Sequence, residues 1–298
     1  MNSISSSKSM HLSGNLNVPG DKSISHRSLI IGSLVSGRIE INNLLESDDV
    51  IATAEALKIL GVKINKLHDK WEVFGSGIGN FFGSNYTLNM GNSGTGARLL
   101  MGLVAGSDVE ATFIGDKSLS KRPMKRVTTP LKKTGAIIVG QTDNLPIKIQ
   151  GSKIPLPIKY QSPISSAQVK SSILLAGLSS LGNTTIIEPS LSRDHTERML
   201  KFFGAKISTH ELDDMSWEIT LEGVPDLKPL NLSIPADPSS AAFPIVSAII
   251  TPNSKIKVEN VCINELRTGL YKTLIEMGAS IQISNEKEIS GELVADIT

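Results

Sequence analysis

The sequence has a single cysteine, Cys262. No disulfide can close within the chain, and one thiol is too few for a cysteine-based zinc site. A reducing compartment fits that usage. Charge of one sign is also lacking. Lys and Arg number 30 against 29 Asp and Glu, for a net charge of +1. A general nucleic-acid binder carries a strong basic excess, so that class is excluded, although a local basic pocket is not. No apolar run approaches the roughly 20 residues of a membrane span. The N-terminal MNSISSSKSMHLSG has no apolar signal core. Its serines are of the transit-peptide kind, but the stretch is short and holds no arginine. A cytoplasmic, bacterial protein is expected.

What is present is a chain of 298 residues, 40% hydrophobic and 20% charged. That composition supports a real core in one or two domains. Similar helix starts recur along it. DKSISHRSLIIGSL begins at Asp21, NSGTGARLLMGLVAG at Asn92, SSAQVKSSILLAGLSS at Ser165 and DPSSAAFPIVSAII at Asp237, at intervals of 71 to 73 residues. A second marker repeats in phase. ALKILGVKI, PLKKTGAII, MLKFFGAKI and LIEMGASIQI each end a helix on glycine, at Gly61, Gly135, Gly204 and Gly278. Glycine just past a helix end suits the left-handed cap that other residues tolerate poorly. Two markers in phase over four copies define a repeat.

Each copy reads as a βαβαββ unit. In the first, HLSGNLNV is a strand, a helix covers about 24–36 with Asp21 and Ser23 as candidate caps, and RIEINNL is a strand. Ser47, Asp48 and Asp49 start a second helix that stops at Gly61, and VKINKL and KWEVFG follow as strands. In the second copy Pro123 is expected near the first turn of a helix, and Pro130 inside it should kink it.

The first helix of the first copy poses a chemical question. Helix N-termini carry partial positive charge and favour acidic residues, yet Lys22, His26 and Arg27 crowd this one. If the units pack with pseudo-symmetry, several N-termini converge and make an anion site. The cations are then counterions for a multiply charged anion. The plain alternative is a capped helix with exposed basic residues. GNSGTGAR lets backbone N–H groups approach phosphate, but it lacks the Gly-Lys-Ser/Thr ending of a nucleotide loop and the dinucleotide spacing. KSLSKRPMKR is mostly a solvated charge run, with Arg122, before Pro123, the residue best placed to point inward. SRDHTER resembles a capping box built on Ser192, with His195 an exposed helix residue and Arg193 the one residue capping leaves unexplained. Asp237 reads as an N-cap and Cys262 as a small buried hydrophobe.

As a set, VPGDKSISHRS, GNSGTGARL, SLSKRPM, SAQVKSS, SRDHTE and ADPSSAAFP resemble the EPSP synthase family, over residues 12 to 298. GDKSISHR and SAQVKS are similar to its bacterial, glyphosate-tolerant-type branch, although Gly94 departs from that branch. The resemblance implies an α/β (α+β) enolpyruvyl-transferase-like fold of two domains, each of three βαβαββ units. Four of the six units are present here, which gives a complete domain over 21–231 and an incomplete one from 1–20 plus 232–298. It also implies that the enolpyruvyl group of phosphoenolpyruvate passes to the 5-hydroxyl of shikimate 3-phosphate, with no metal or organic cofactor, in a protein that is monomeric at full length. Residue by residue, it places Lys22, Ser23 and Arg27 on shikimate 3-phosphate, with Lys22 also reaching phosphoenolpyruvate and moving protons. Asn92 and Gly94 match the phosphoenolpyruvate turn, and Arg122 its phosphate. Ser166, Ala167 and Gln168 match the shikimate-phosphate helix start, with Gln168 touching both ligands, and Arg193 is a further contact. Four cations suit two substrates that each carry a phosphate and a carboxylate.

Six units of this period need roughly 430 residues, so two units are missing by this reading. In the family those carry an acid/base aspartate, a Lys-Glu pair and closing arginines, and Asp296 is not promoted to any such role. The activity of this chain is therefore set against a second expectation, a fragment that binds shikimate 3-phosphate without turnover. Half a domain should also expose apolar surface. The related UDP-N-acetylglucosamine enolpyruvyl transferase is disfavoured, because residues 112–124 hold no cysteine and Ser23 stands where that enzyme has asparagine. Glycine at 94 leaves room for the herbicide glyphosate in the resembled family. In an enzyme completed by the two further units, Gly94→Ala should raise the glyphosate concentration for half-inhibition; unchanged inhibition would refute the assignment.

Overall fold

A computed structural model describes residues 5, 7–140 and 143–298. Residues 1–4 and 6, in the serine-bearing N-terminal stretch, and 141–142 lie outside the described residues. The chain opens with β1 (Ser13–Leu16). It continues through α1 (Lys22–Ser33), β2 (Ser36–Asn42), α2 (Asp48–Ile59), β3 (Lys63–Lys66) and β4 (Lys70–Ser76). Then come β5 (Phe82–Asn89), α3 (Gly94–Ala105), β6 (Asp108–Ile114), a 3-10 turn at Leu119–Lys121, α4 (Lys125–Lys133), β7 (Ile137–Val139) and β8 (Ile147–Gln150). The third stretch is β9 (Lys159–Gln161), α5 (Ala167–Gly177), β10 (Asn183–Glu188), α6 (His195–Phe202), β11 (Ile207–Glu211) and β12 (Trp217–Glu222). The last is β13 (Leu232–Ser233), α7 (Pro238–Ile250), β14 (Lys255–Cys262), α8 (Gly269–Glu276), β15 (Ile283–Ile289) and β16 (Glu292–Ile297).

Among the described residues the strands form four sheets of four, ordered β5-β6-β8-β7, β9-β10-β12-β11, β13-β2-β4-β3 and β1-β14-β16-β15. Every sheet pairs its first two strands parallel and the rest antiparallel. In the second and third units the parallel pair is bridged by one helix, as parallel pairing requires a long crossover. In the other two sheets the first strands are exchanged. Local patterning sets β1 at the head of the first unit, whereas the resemblance sets 1–20 with the second domain; β1 pairs with β14 of the fourth unit. The first unit instead receives β13, whose Leu232 and Ser233 lie beside Ile41 and Asn42 of β2. Local patterning identifies a strand but carries no record of its partner.

The repeated glycines do one job. Gly61, Gly135, Gly204 and Gly278 have φ of +96°, +96°, +99° and +95°. At Gly61 the glycine N–H donates to Lys58 O, and Val62 N donates to Leu57 O. The same pair of bonds forms after α6 and α8. This is the helix-ending motif that needs a left-handed residue. The first helix ends earlier than expected, at Ser33. Ser36 and Gly37 are already paired with Ser76 and Gly75, so the sheet claims them. Pro123 lies next to Met124, the N-cap of α4, near the first turn, and Arg122 is extended, as a residue before proline prefers to be. Pro130 does lie inside α4.

The chain forms two compact units, Lys22–Ile234 and the segment ending at Asp21 together with Pro235–Thr298. In the larger unit α3 packs against α5 and against α1. These central helices are buried nearly all round, as helices enclosed by protein are. Ile24 through Ser33 of α1 and Val169 through Gly177 of α5 are buried without a gap. The approach of α3 to α5 is very close. A Cβ added at Gly102 would lie 2.2 Å from Ser172 O, and one at Gly106 2.6 Å from Ala176 O. In the smaller unit α7 packs on β14, and Ala241, Ile245, Val258 and Tyr271 share its core. Arg267 donates to Asp21 at 2.7 Å and to Asp237 at 3.1 Å. Asp21, a candidate cap in the sequence, is thus an ion-pair partner. Asp237 caps α7, accepting from Ser239 N at 2.9 Å. Cys262 is fully buried, and burial pushes its thiol up to about 12. α7 also exposes Phe243 and Ile250, at 78% and 74%.

Gly102→Ala should destabilise the protein by about 1–3 kcal/mol, because the new methyl meets backbone that cannot swing aside. Urea unfolding checks it, and an unchanged midpoint would contradict the seam.

Candidate functional site

The start of α1 turns its cations to distinct uses. Lys22 forms an ion pair with Asp49 from the first turn of α2. Asp49 had been read only as a helix-start residue. Ser23 Oγ lies 3.5 Å from Nη1 of Arg193, the residue two before α6. Arg27 is 2% exposed. Its Nε donates to Thr196 Oγ1 at 2.6 Å, its Nη2 to Ser171 Oγ at 2.7 Å and its Nη1 to Ser23 O at 2.9 Å. One guanidinium therefore ties α1 to the second turn of α5 and the first turn of α6. His26 is buried too, with Nδ1 2.8 Å from Thr53 Oγ1.

The turn before α3 builds a second group. Ser93 caps the helix by accepting from Gly96 N at 3.1 Å. Asn92 is exposed; its Oδ1 accepts from Arg122 Nη2 and its Nδ2 donates to Asp116 at 2.8 Å. Asp116 also accepts from Leu119 N at 2.7 Å. That backbone bond, then the Asn92 amide and the nearby Arg122, hold the Asp116 carboxyl below the usual range. A Cβ on Gly94 would lie 3.0 Å from Arg122 Nη1 and 3.3 Å from Arg98 Nη1. Glycine is what lets two guanidinium groups lie over this helix start.

The start of α5 joins the groups. Ser166 is its extended N-cap, with Val169 N at 3.5 Å from its Oγ, and Ala167 is the first helical residue. Gln168 Nε2 donates to Thr95 Oγ1 at 3.0 Å, and its Oε1 accepts from Arg98 Nη1 at 2.7 Å. Arg98 was missed in the sequence, although it ends the quoted GNSGTGAR. The signal was available: a lone arginine one turn inside an otherwise apolar helix. Burial, then repulsion from Arg126 and Arg122, lowers its pKa to about 10.

Two sequence expectations fail here. Ser192 forms no capping box; its N and Oγ both donate to Glu188 Oε1, at 2.8 and 3.0 Å. Asp194 occupies the N-cap position of α6. His195 is fully buried, not exposed. The helical-period pattern could not show that α6 packs against α1.

The starts of α1, α3, α5 and α6 are therefore linked by side chains at one end of the larger unit. Lys22, Arg27, Arg98, Arg122 and Arg193 lie on or beside these starts, Lys22 paired with Asp49 and Arg122 joined to Asp116 through Asn92. Helix N-termini and clustered guanidinium groups both favour anions, and their chemistry suits phosphate or carboxylate. Among the described residues no group of three or more His, Cys, Asp or Glu side chains is placed to hold a metal ion. No described helix is long and apolar enough to cross a membrane.

Residues 6–296 match the family model of EPSP synthase (3-phosphoshikimate 1-carboxyvinyltransferase). The chain is 50% identical over 297 residues to the 3-phosphoshikimate 1-carboxyvinyltransferase of Parvibaculum lavamentivorans, covering 99% of this chain and 66% of that protein. It is 51% identical to the enzyme of that name from Bartonella quintana, covering 99% and 67%. A solved structure of EPSP synthase from Acinetobacter baumannii superposes with a TM-score of 0.88 at 41% identity, covering 96% of this chain and 64% of that one. The chain thus spans about two thirds of the length of the relatives it matches.

Gln168→Leu removes both bonds that join α3 to α5 at this end and deprives the buried Arg98 of an acceptor. It should cost about 1.5–3 kcal/mol, the range for hydrogen bonds to a charged group. A urea midpoint equal to wild type would show that the bridge carries no stability.

Proposed function

The chain belongs to the EPSP synthase family, and on that premise we propose that it transfers the enolpyruvyl group of phosphoenolpyruvate to the 5-hydroxyl of shikimate 3-phosphate. The observation that carries the reading is the side-chain network joining four helix starts, with Lys22, Arg27, Arg122 and Arg193 around it. Two substrates with a phosphate and a carboxylate each need such a concentration of counterions and N–H donors.

In this reading Ser23, Arg27, Arg193, Ser166, Ala167 and Gln168 hold shikimate 3-phosphate. Asn92, Gly94 and Arg122 hold phosphoenolpyruvate, and Gln168 touches both. Through Ser171 and Thr196, Arg27 also keeps α1, α5 and α6 in register. The substrate 5-hydroxyl oxygen bonds to C2 of phosphoenolpyruvate and loses its proton, while C3 gains one. The tetrahedral product then loses a C3 proton as its C2–O bond to phosphate breaks, which restores the double bond and releases phosphate. Lys22 moves protons in this sequence, and Asp49 holds its ammonium group in place. No metal or organic cofactor takes part. The unit Lys22–Ile234, which runs past the end of the expected 21–231 because β13 pairs with β2, acts as the shikimate-phosphate domain, and Pro235–Thr298 with the segment ending at Asp21 belongs to the second domain. At the full length of its relatives the protein works as a monomer in the cytoplasm.

Phosphate release should require both substrates together, with each single-substrate mixture as the control. Lys22→Met should lower the rate by about 10²-fold or more, as expected for loss of a proton-transfer group. Binding of shikimate 3-phosphate without release would confine this chain to recognition. No binding of either substrate would refute the reading.

A further inference from the structure

Beneath the site lies a cluster of charges that the proposed chemistry does not use. Lys170 and Glu188 are each 1% exposed, and Glu197 is 6% exposed. Lys170 Nζ is 2.8 Å from Glu188 Oε1, 2.7 Å from Glu197 Oε1 and 3.1 Å from Ser192 O. The contact to Glu197 is an ion pair without the angle of a hydrogen bond. Burial pushes the Glu197 carboxyl up, and Lys170 pulls it back down. A buried charge cluster of this kind is not a general source of stability, because desolvation offsets the attraction. Its use must be sought in what it holds.

It holds Ser192. The amide N–H and the hydroxyl of that residue both donate to Glu188, and its carbonyl accepts from Lys170. All three polar groups of one loop residue are bound to a buried cluster, immediately before Arg193. Lys170 lies on α5 one turn beyond Ser166 and Ala167, Glu188 ends β10, and Glu197 lies on α6. Three elements therefore fix the loop between β10 and α6. Arg193 leaves that loop toward Ser23.

We propose that the buried Glu188–Lys170–Glu197 cluster is a positioning device that clamps Ser192 so that Arg193 faces the anion site. The consequence for ligand affinity rests on the functional reading above; the clamp itself does not. Glu188 and Lys170 are positioning residues, since they act through Arg193 and touch no substrate.

Two measurements on the full chain test this. In the free protein, Glu188→Gln should speed amide hydrogen exchange at Ser192–Asp194 while leaving the core of α5 protected; unchanged exchange there overturns the clamp. In titrations with shikimate 3-phosphate, Glu188→Gln should raise Kd about tenfold, the size of one lost charge-assisted hydrogen bond. In an Arg193→Ala background the same substitution should change Kd no further. Additive effects would mean a general structural role and would overturn the proposal. If Glu188→Gln fails to fold, Ser192→Ala removes only a hydroxyl and should move exchange and Kd in the same directions, or the proposal fails. A wild-type chain that binds no shikimate 3-phosphate overturns the functional reading, and the exchange result still decides the clamp.

Discussion

The close approach of α3 to α5 is the constraint on which the rest of the larger unit depends. Gly102 of α3 and Gly106, the C-cap of that helix, lie one turn apart, and each faces backbone of α5 with no room for a methyl group. Side chains at those positions would hold the two helices apart. Without them the helix starts come near enough for Gln168 to reach Thr95 and Arg98. A packing feature in the middle of two helices thus decides the chemistry at their ends. Interiors are close-packed, so such a contact has little slack to absorb a change.

Polar groups inside the unit follow from the same geometry. Three central helices enclosed by protein would ordinarily be apolar throughout, yet α1 buries Ser25, His26, Arg27 and Ser28. Buried polar groups need partners. Arg27 finds them in Thr196 and Ser171, on helices far away in sequence. The cost of burying a guanidinium is offset by hydrogen bonds that also lock α1, α5 and α6 in register. Arg98 does the same between α3 and α5, and its lowered pKa reflects that burial. The cationic end of the unit is therefore part of its internal bonding, not a coat of charge on its surface.

The exchange of first strands shows how a repeat can be regular in sequence and irregular in connection. All four sheets have one strand order. Two of them are closed by strands from distant parts of the chain, β13 on β2 and β1 on β14. A parallel edge strand of two to four residues is bound mainly by backbone, so its partner is set by where the chain is brought, not by its side chains. The chain passes from one compact unit to the other at Asp21–Lys22 and at Ile234–Pro235.

Several features were determined by the sequence alone. The period of 71 to 73 residues, the four helix-ending glycines and the small polar helix starts were all legible, because each rests on local rules of backbone conformation and capping. The family was legible from six motifs in order. What only the tertiary structure decided was partnership. It placed Asp49 on Lys22, took Ser192 from an expected cap to a buried carboxylate, buried His195, and brought Arg98 onto Gln168. These contacts join different parts of the chain, Arg98 and Gln168 lying 70 positions apart. Local propensity acts over a few residues, whereas the choice among distant partners is made by packing, which no single stretch of sequence contains.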